Sequence, residues 1–414
     1  MHALDGISRA FEAVPTLSRR PLTRRVLGAL VVPLVAATVI AVAPTVASAA
    51  TCVALTGTQP TNPAGSSHDN VLGGVAVLSP CNAWAVGNFD NGTADQTLIE
   101  HWNGSTWTQK TSQNPGGSTQ FHELSDADGT SASNVWAVGD YIPTLAQQTL
   151  TEHWTGSSWI TQASPNPGGS SLDSILTGVA AISASNAWAV GYYSNGTADQ
   201  TLVEHWNGTS WKVVPSPNPG GSSRNDFLYG VAAVSATNVW AVGRFDNGSA
   251  NRTLIEHWNG HTWLRVASPN IGGSTAHNGL NAVTATSASD AWAVGGGGNA
   301  DKTLIEHWNG KTWTRVTSPN GGGPSSPFSD LVGVVATSPS NAWATGFYST
   351  DNVNQTLVEH WNGKVWTLVG SPNPGGSSNS NILDAVDASS ASNMWTVGSF
   401  NNGTAEQTMA VHCC

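Results

Sequence analysis

Charge is what this chain of 414 residues has least of: 10% of it is Asp, Glu, Lys or Arg, against roughly 25% in an ordinary soluble domain. The shortage falls on the cations, with 15 Lys and Arg against 26 Asp and Glu. Arg9, Arg19, Arg20, Arg24 and Arg25 sit in the first 50 residues together with Asp5 and Glu12. Taking these away leaves 10 basic and 24 acidic residues, a net charge of −14. Such a surface has no basic patch to neutralise phosphates, which excludes nucleic acid and anionic membranes as partners. Beyond the N-terminal segment no stretch has helical periodicity, which excludes α-helical layers. Catalytic signatures are missing too. There is no G-x-S-x-G elbow, no Gly-rich phosphate loop opening a helix, no H-E-x-x-H and no cysteine left over as a nucleophile. No cofactor and no metal is expected, and Asp90-Asn-Gly-Thr-Ala-Asp95 reads as a turn rather than a Ca²⁺ loop.

What is abundant is Gly (45), Pro (21) and Trp (19), the first two marking many turns. The first 50 residues read as a secretory signal. Arg19, Arg20, Arg24 and Arg25 precede an apolar run from about Val26 to Val42, and Ala47-Ser48-Ala49 supplies an A-x-A cleavage site. Thr23-Arg24-Arg25-Val26-Leu27 also fits a loose twin-arginine pattern, so Sec and twin-arginine export both stay open. A membrane anchor is the rival reading, opposed by Pro33 and the cleavage site.

From residue 51 onward a W-A-V-G-like signature recurs at Trp84, Trp136, Trp188, Trp240, Trp292, Trp343 and Trp395, at spacings of 51 or 52. An E-H-W-N/T-G-x-x-W signature follows in six of the units. Each unit yields four short β-prone runs, with Asn-Gly or Thr-Gly hairpin turns before the last. Residues 51–414 are therefore expected to form an all-β, seven-bladed β-propeller of four-stranded antiparallel blades. The layout resembles the kelch and galactose-oxidase-like propellers, with single glycines at Gly87, Gly139 and Gly191 where kelch units carry pairs. The H-W-N-G-x-x-W hairpin is also similar to the repeats of bacterial seven-bladed propeller lectins, which implies sugar binding between blades.

The seventh unit stops at Thr408-Met-Ala-Val-His-Cys413-Cys414, where a fourth strand is due. Cys52-Val-Ala-Leu55 followed by Pro60, Asn62 and Pro63 reproduces a fourth strand and its linker, so the N-terminal strand is expected to join the C-terminal blade and close the ring. In that alignment Cys413 and Cys52 replace the two Trp of the hairpin. This favours Cys52–Cys413 with Cys81–Cys414; the alternative is Cys52–Cys414 with Cys81–Cys413.

A residue repeated in every blade is explained first by the fold, so the Glu-His pairs and the Trp are assigned structural roles. Residues that vary are the site candidates. Two places before the first-strand Leu stand Asn70, His122, Ser174, Asp226, Asn278 and Asn381, expected at the channel mouth; Tyr229 and Asp384, just after that Leu, continue the lining inward. Capping of loops is the competing role for these positions. Arg244 belongs to the loop face of blade 4, beside a short Gly295–Gly298 run in blade 5 that is expected to open a notch. The preferred function is a secreted, monomeric, non-catalytic binding module for glycans. The alternatives are a lyase or hydrolase working through Asp226, His122 and Asp384, or a scaffold for a protein ligand.

Overall fold

The computed structural model describes residues 55–298, 302–322 and 328–413. The expected signal segment and cleavage site lie outside these residues. Seven antiparallel sheets of four strands follow one another around an axis. In blade 3 the strands are Ser174–Ser183, Asn186–Ser194, Asp199–Trp206 and Trp211–Val213, in that spatial order. Among the described residues there is no α-helix, and one 3-10 turn occurs at Gly169–Ser171.

Two local devices shape the blades, the first in all seven and the second in the six whose third and fourth strands are consecutive in sequence. The first strand carries a bulge after its Leu, so that Leu176 faces Gly191 while Gly178 faces Val190, leaving Thr177 unpaired. The backbone closes so tightly there that a Cβ on Gly191 would come 2.0 Å from the Ile175 carbonyl, which is why the W-A-V-G signature ends in Gly. In the Asn-Gly turn between the third and fourth strands, Asn207 Oδ1 accepts from Thr209 N at 3.0 Å and Gly208 takes φ +91°.

The apolar core lies between blades. Trp188 of blade 3 packs against Trp258 and Trp263 of blade 4, at 4.9 and 5.3 Å between ring centroids, within a cluster that draws on both sheets. His205 lies tilted against Trp188 with ring centroids 4.4 Å apart and bonds Asn186 Oδ1 at 2.9 Å, and Glu204 beside it is fully buried. The repeated Glu-His pairs are thus parts of the fold.

The ring is closed by the N-terminal strand Thr56–Thr58, which pairs with Glu406–Cys413. Its register corrects the expected one. Thr56 faces His412 as Lys212 faces His205, so Leu55, not Cys52, takes the place of the second hairpin Trp. The deciding contact is Asn62, whose Oδ1 accepts from Thr408 N at 2.9 Å just as Asn218 Oδ1 accepts from Thr201 N at 2.8 Å. The cysteines depart from expectation as well. Cys81 is an exposed free thiol, so it has no bridge to Cys414 or Cys413. Cys413 is fully buried and disulfide-bonded, while Cys52 and Cys414 lie outside the described residues.

Candidate functional site

The bulge that shapes each first strand also builds the channel wall. An extra residue breaks the two-residue alternation, so the side chain after the Leu turns to the axis instead of into the sheet. Gly73, Ser125, Thr177, Tyr229, Asn281, Val332 and Asp384, the seven bulge residues, all line an axial cavity of about 280 Å³. They also tie neighbouring blades. Thr177 Oγ1 donates to the Leu228 carbonyl at 2.9 Å, and Asn281 Nδ2 to the Leu331 carbonyl at 2.9 Å. Burial pushes the Asp384 carboxyl up to about 7, with the Glu406 and Glu123 charges adding to the effect.

The positions two before the Leu do not sit on this wall. They share the parity of the Leu and therefore point into the gap between blades, where the linker runs. Asn70, His122, Ser174, Asp226, Asn278 and Asn381 are all between 0 and 2% exposed. Asn70 Nδ2 donates to the carbonyls of Gly65 and His68. The two ring nitrogens of His122 lie 2.8 and 2.7 Å from the carbonyls of Gln120 and Pro115. Ser174 Oγ and Asp226 Oδ1 accept from the backbone N–H of Gly168 and Gly220, at 3.3 and 2.9 Å. Asn278 and Asn381 make the same kind of contacts, to Ile271 and Gly375. These residues hold the linkers, and none borders the axial cavity. His122 and Asp226, spent on backbone groups of different blades, are not brought together with Asp384.

Three carboxyls on the channel were not singled out in the sequence. Asp126 and Asp128 of blade 2 and Asp387 of blade 7 replace the small or apolar residues that other first strands place there, such as Gly178 and Ala180. Each accepts a backbone N–H from the next blade: Val179 to Asp126 at 2.9 Å, Ala181 to Asp128 at 2.8 Å and Val77 to Asp387 at 2.6 Å. Burial pushes Asp126 up to about 7 and Asp128 to about 8, and raises Asp387. They act as struts, and among the described residues no group of three His, Cys, Asp or Glu is placed to hold a metal.

The break in the repeat at blade 5 opens a second recess, of about 150 Å³. In six blades the position before the Leu and its cross-strand partner carry side chains on the loop face, as in Ile175 with Tyr192 or Phe227 with Arg244. In blade 5 this pair is Gly279 with Gly296. Two missing side chains leave a floor of bare backbone. Its walls come from the neighbours: Tyr229 and Arg244 of blade 4, Phe328 and Asp330 of blade 6, and Asn281 and Asn278 of blade 5 itself. Arg244 lies against the floor on one side, 3.7 Å from where a Cβ of Gly279 would be; on the other, Asp330 Oδ1 lies 2.7 Å from where a Cβ of Gly296 would be. Asn281 Nδ2 donates to Asp330 Oδ1 at 3.1 Å and fixes that carboxylate. The guanidinium of Arg244 stands over the rings of Phe227 and Tyr229, at 5.1 and 5.6 Å. Of the candidates read from the sequence, Tyr229, Arg244 and Asn278 meet here; Asp330 and Phe328 were missed, although the paired glycines facing them were the signal.

The chain shares its propeller fold with solved structures at low sequence identity. YCF48 from Cyanidioschyzon merolae aligns with a TM-score of 0.52 at 15% identity over 86% of this chain and 98% of that one. The extracellular domain of a hybrid two component system from B. thetaiotaomicron aligns at 0.50 and 9% identity over 86% of this chain and 42% of that one. A six-bladed fungal lectin from Aleuria aurantia aligns at 0.45 and 15% identity, over 74% and 98%. At such identities the fold is shared and nothing about the ligand follows. No protein-family model and no curated protein matches the chain.

Proposed function

We propose that this seven-bladed propeller is a secreted, non-catalytic binding module that takes a glycan in the recess over blade 5. The observation carrying this reading is the Gly279–Gly296 floor. It is the place where the repeat gives up two side chains, and the neighbouring blades surround it with aromatic, amide and charged groups. Mixed walls of this kind suit a polyhydroxylated ring, with aromatic faces for its C–H surface and amides and a carboxylate for its hydroxyls. At about 150 Å³ the recess is small beside the pockets that enclose drug-sized ligands, so a single ring would sit in it and the rest of a longer chain would lie outside. Export is supported by the Arg19–Ala49 segment, and N-terminal sequencing of the secreted protein should find the chain starting near Ala50.

A glycan array tests the binding. A Gly279→Ala variant belongs beside the wild type, because its new methyl meets Arg244 at ordinary contact distance and intrudes on the floor. Hits that weaken in Gly279→Ala at an unchanged melting temperature support the recess. Hits unaffected by that change move the ligand elsewhere on the ring, and silence on the array removes the glycan reading.

A further inference from the structure

The electrostatics of the recess narrow its ligand. Arg244 is half-buried among Phe227, Tyr229 and the blade 5 floor, and its Nε is buried with no hydrogen-bond acceptor. Among the described residues no carboxylate comes within 4 Å of its guanidinium, the two ion pairs found there being His68 with Asp90 and His307 with Asp290. The Tyr229 side chain hydrogen-bonds the Arg244 side chain but brings no counter-charge, and Arg252 of the same blade is engaged by the carbonyls of Gly273 and Ala276. A cation held in partly desolvated surroundings without a counter-charge is costly, and the cost is offset when an anion binds.

We propose that the recess accepts an anionic sugar, its carboxylate on Arg244 and its hydroxyls toward Asp330 and Asn281. This rests on the glycan reading given above. The two walls differ in sign, and the ligand must match both. Asp330 repels an anion on its own side but accepts hydroxyl hydrogens, and Arg244 draws the carboxylate to the opposite side. Such a ligand is oriented as well as held. A neutral sugar leaves Arg244 without a counter-charge, while a small inorganic anion makes no use of the amide, carboxylate and aromatic groups on the opposite wall. Tyr229 and Phe328 supply the apolar surface between them.

The test is isothermal titration of the whole secreted protein with a trigalacturonate and with its methyl ester, which removes charge and keeps shape. Wild type, Arg244→Gln, Arg244→Lys and Tyr229→Ala are compared. The expected result is that wild type binds the acid at least tenfold tighter than the ester, that this preference collapses below twofold in Arg244→Gln, and that Arg244→Lys retains part of it. Acid and ester bound equally, both lost in Tyr229→Ala, overturn the anionic ligand and leave the glycan site standing. A preference for the acid that survives in Arg244→Gln also overturns the proposal, because another cation would then be responsible. The acid–ester comparison is made on one folded protein, so a poorly folding variant cannot decide the matter alone. If neither trigalacturonate form binds and the array is silent as well, both readings fall together.

Discussion

Ser112 Oγ donates to Glu152 Oε1 at 2.7 Å, linking the loop that enters blade 2 to its third strand. The carboxyl is fully buried, and burial pushes it from its ordinary value near 4.5 up to about 7, against the opposing effect of this bond. Glu100 and Glu359 rise to about 7, Glu204 and Glu306 to about 8, and Glu256 well above the ordinary value, all from burial first. A folded-state value above the unfolded one means stability that is complete below about pH 4.5 and is lost as pH rises through 7 to 8. The melting temperature should therefore fall on going from about pH 6 to about pH 9. A Glu152→Gln, Glu204→Gln double variant should show a shallower fall in the same thermal melts, and a melting temperature that climbs over this range would contradict the assignment.

Asp226→Ala should destabilise the fold rather than act on ligand binding. Its carboxylate accepts from Gly220 N–H inside the linker, and removing it leaves that buried donor without a partner, a loss of about 1–3 kcal/mol in urea unfolding. Ligand affinity of the folded fraction should stay at the wild-type level.

Trp188→Ala should cost about 3–5 kcal/mol, because the indole is 2% exposed and fills the space between blades 3 and 4. Trp240→Ala, its equivalent one blade on, should cost the same within error by chemical denaturation.

Alkylation of the unreduced secreted protein should label Cys81 and spare Cys413. Peptide mapping then identifies the partner of Cys413, for which we propose Cys52. A peptide containing Cys81 in a disulfide would contradict the structure.

The blade count, the strand order and the closing of the ring were legible because the spacing of Trp84 to Trp395 is nearly constant and a fourth strand is missing from the seventh unit. The register of the closing strand was legible in the linker but not in the strand: Asn62, Pro63, Gly65, Ser66 and Ser67 match Asn218, Pro219, Gly221, Ser222 and Ser223 once Leu55 stands against Trp211, whereas placing Cys52 there matches Pro60 alone. The Asn62 side chain reaching Thr408 N fixes that register in the fold. The channel wall was half legible. Tyr229 and Asp384 reach the axis because of the bulge after the Leu, which cannot be seen until the strands are paired, whereas His122 and Asp226, two places before that Leu, share its face by plain alternation and belonged between the blades from the start. The recess was visible as a glycine run but not as a pair of facing glycines. Asp330 and Phe328 look like ordinary first-strand residues until blade 6 stands beside that pair.

The clusters of packed indoles carry one more consequence, for how the molecule comes apart. Because Trp188 is buried by blade 4, and Trp240 in turn by blade 5, no sheet owns the core that stabilises it. A linear array of repeats frays from its ends, where a terminal unit has a neighbour on one side only. Here blade 7 packs on blade 1 through Trp395, Trp102 and Trp107, so every unit has two neighbours and fraying has nowhere to start. Losing any one blade strips two interfaces at once, so the propeller is expected to melt as a single cooperative unit, with a calorimetric enthalpy that matches the van't Hoff value for the whole ring.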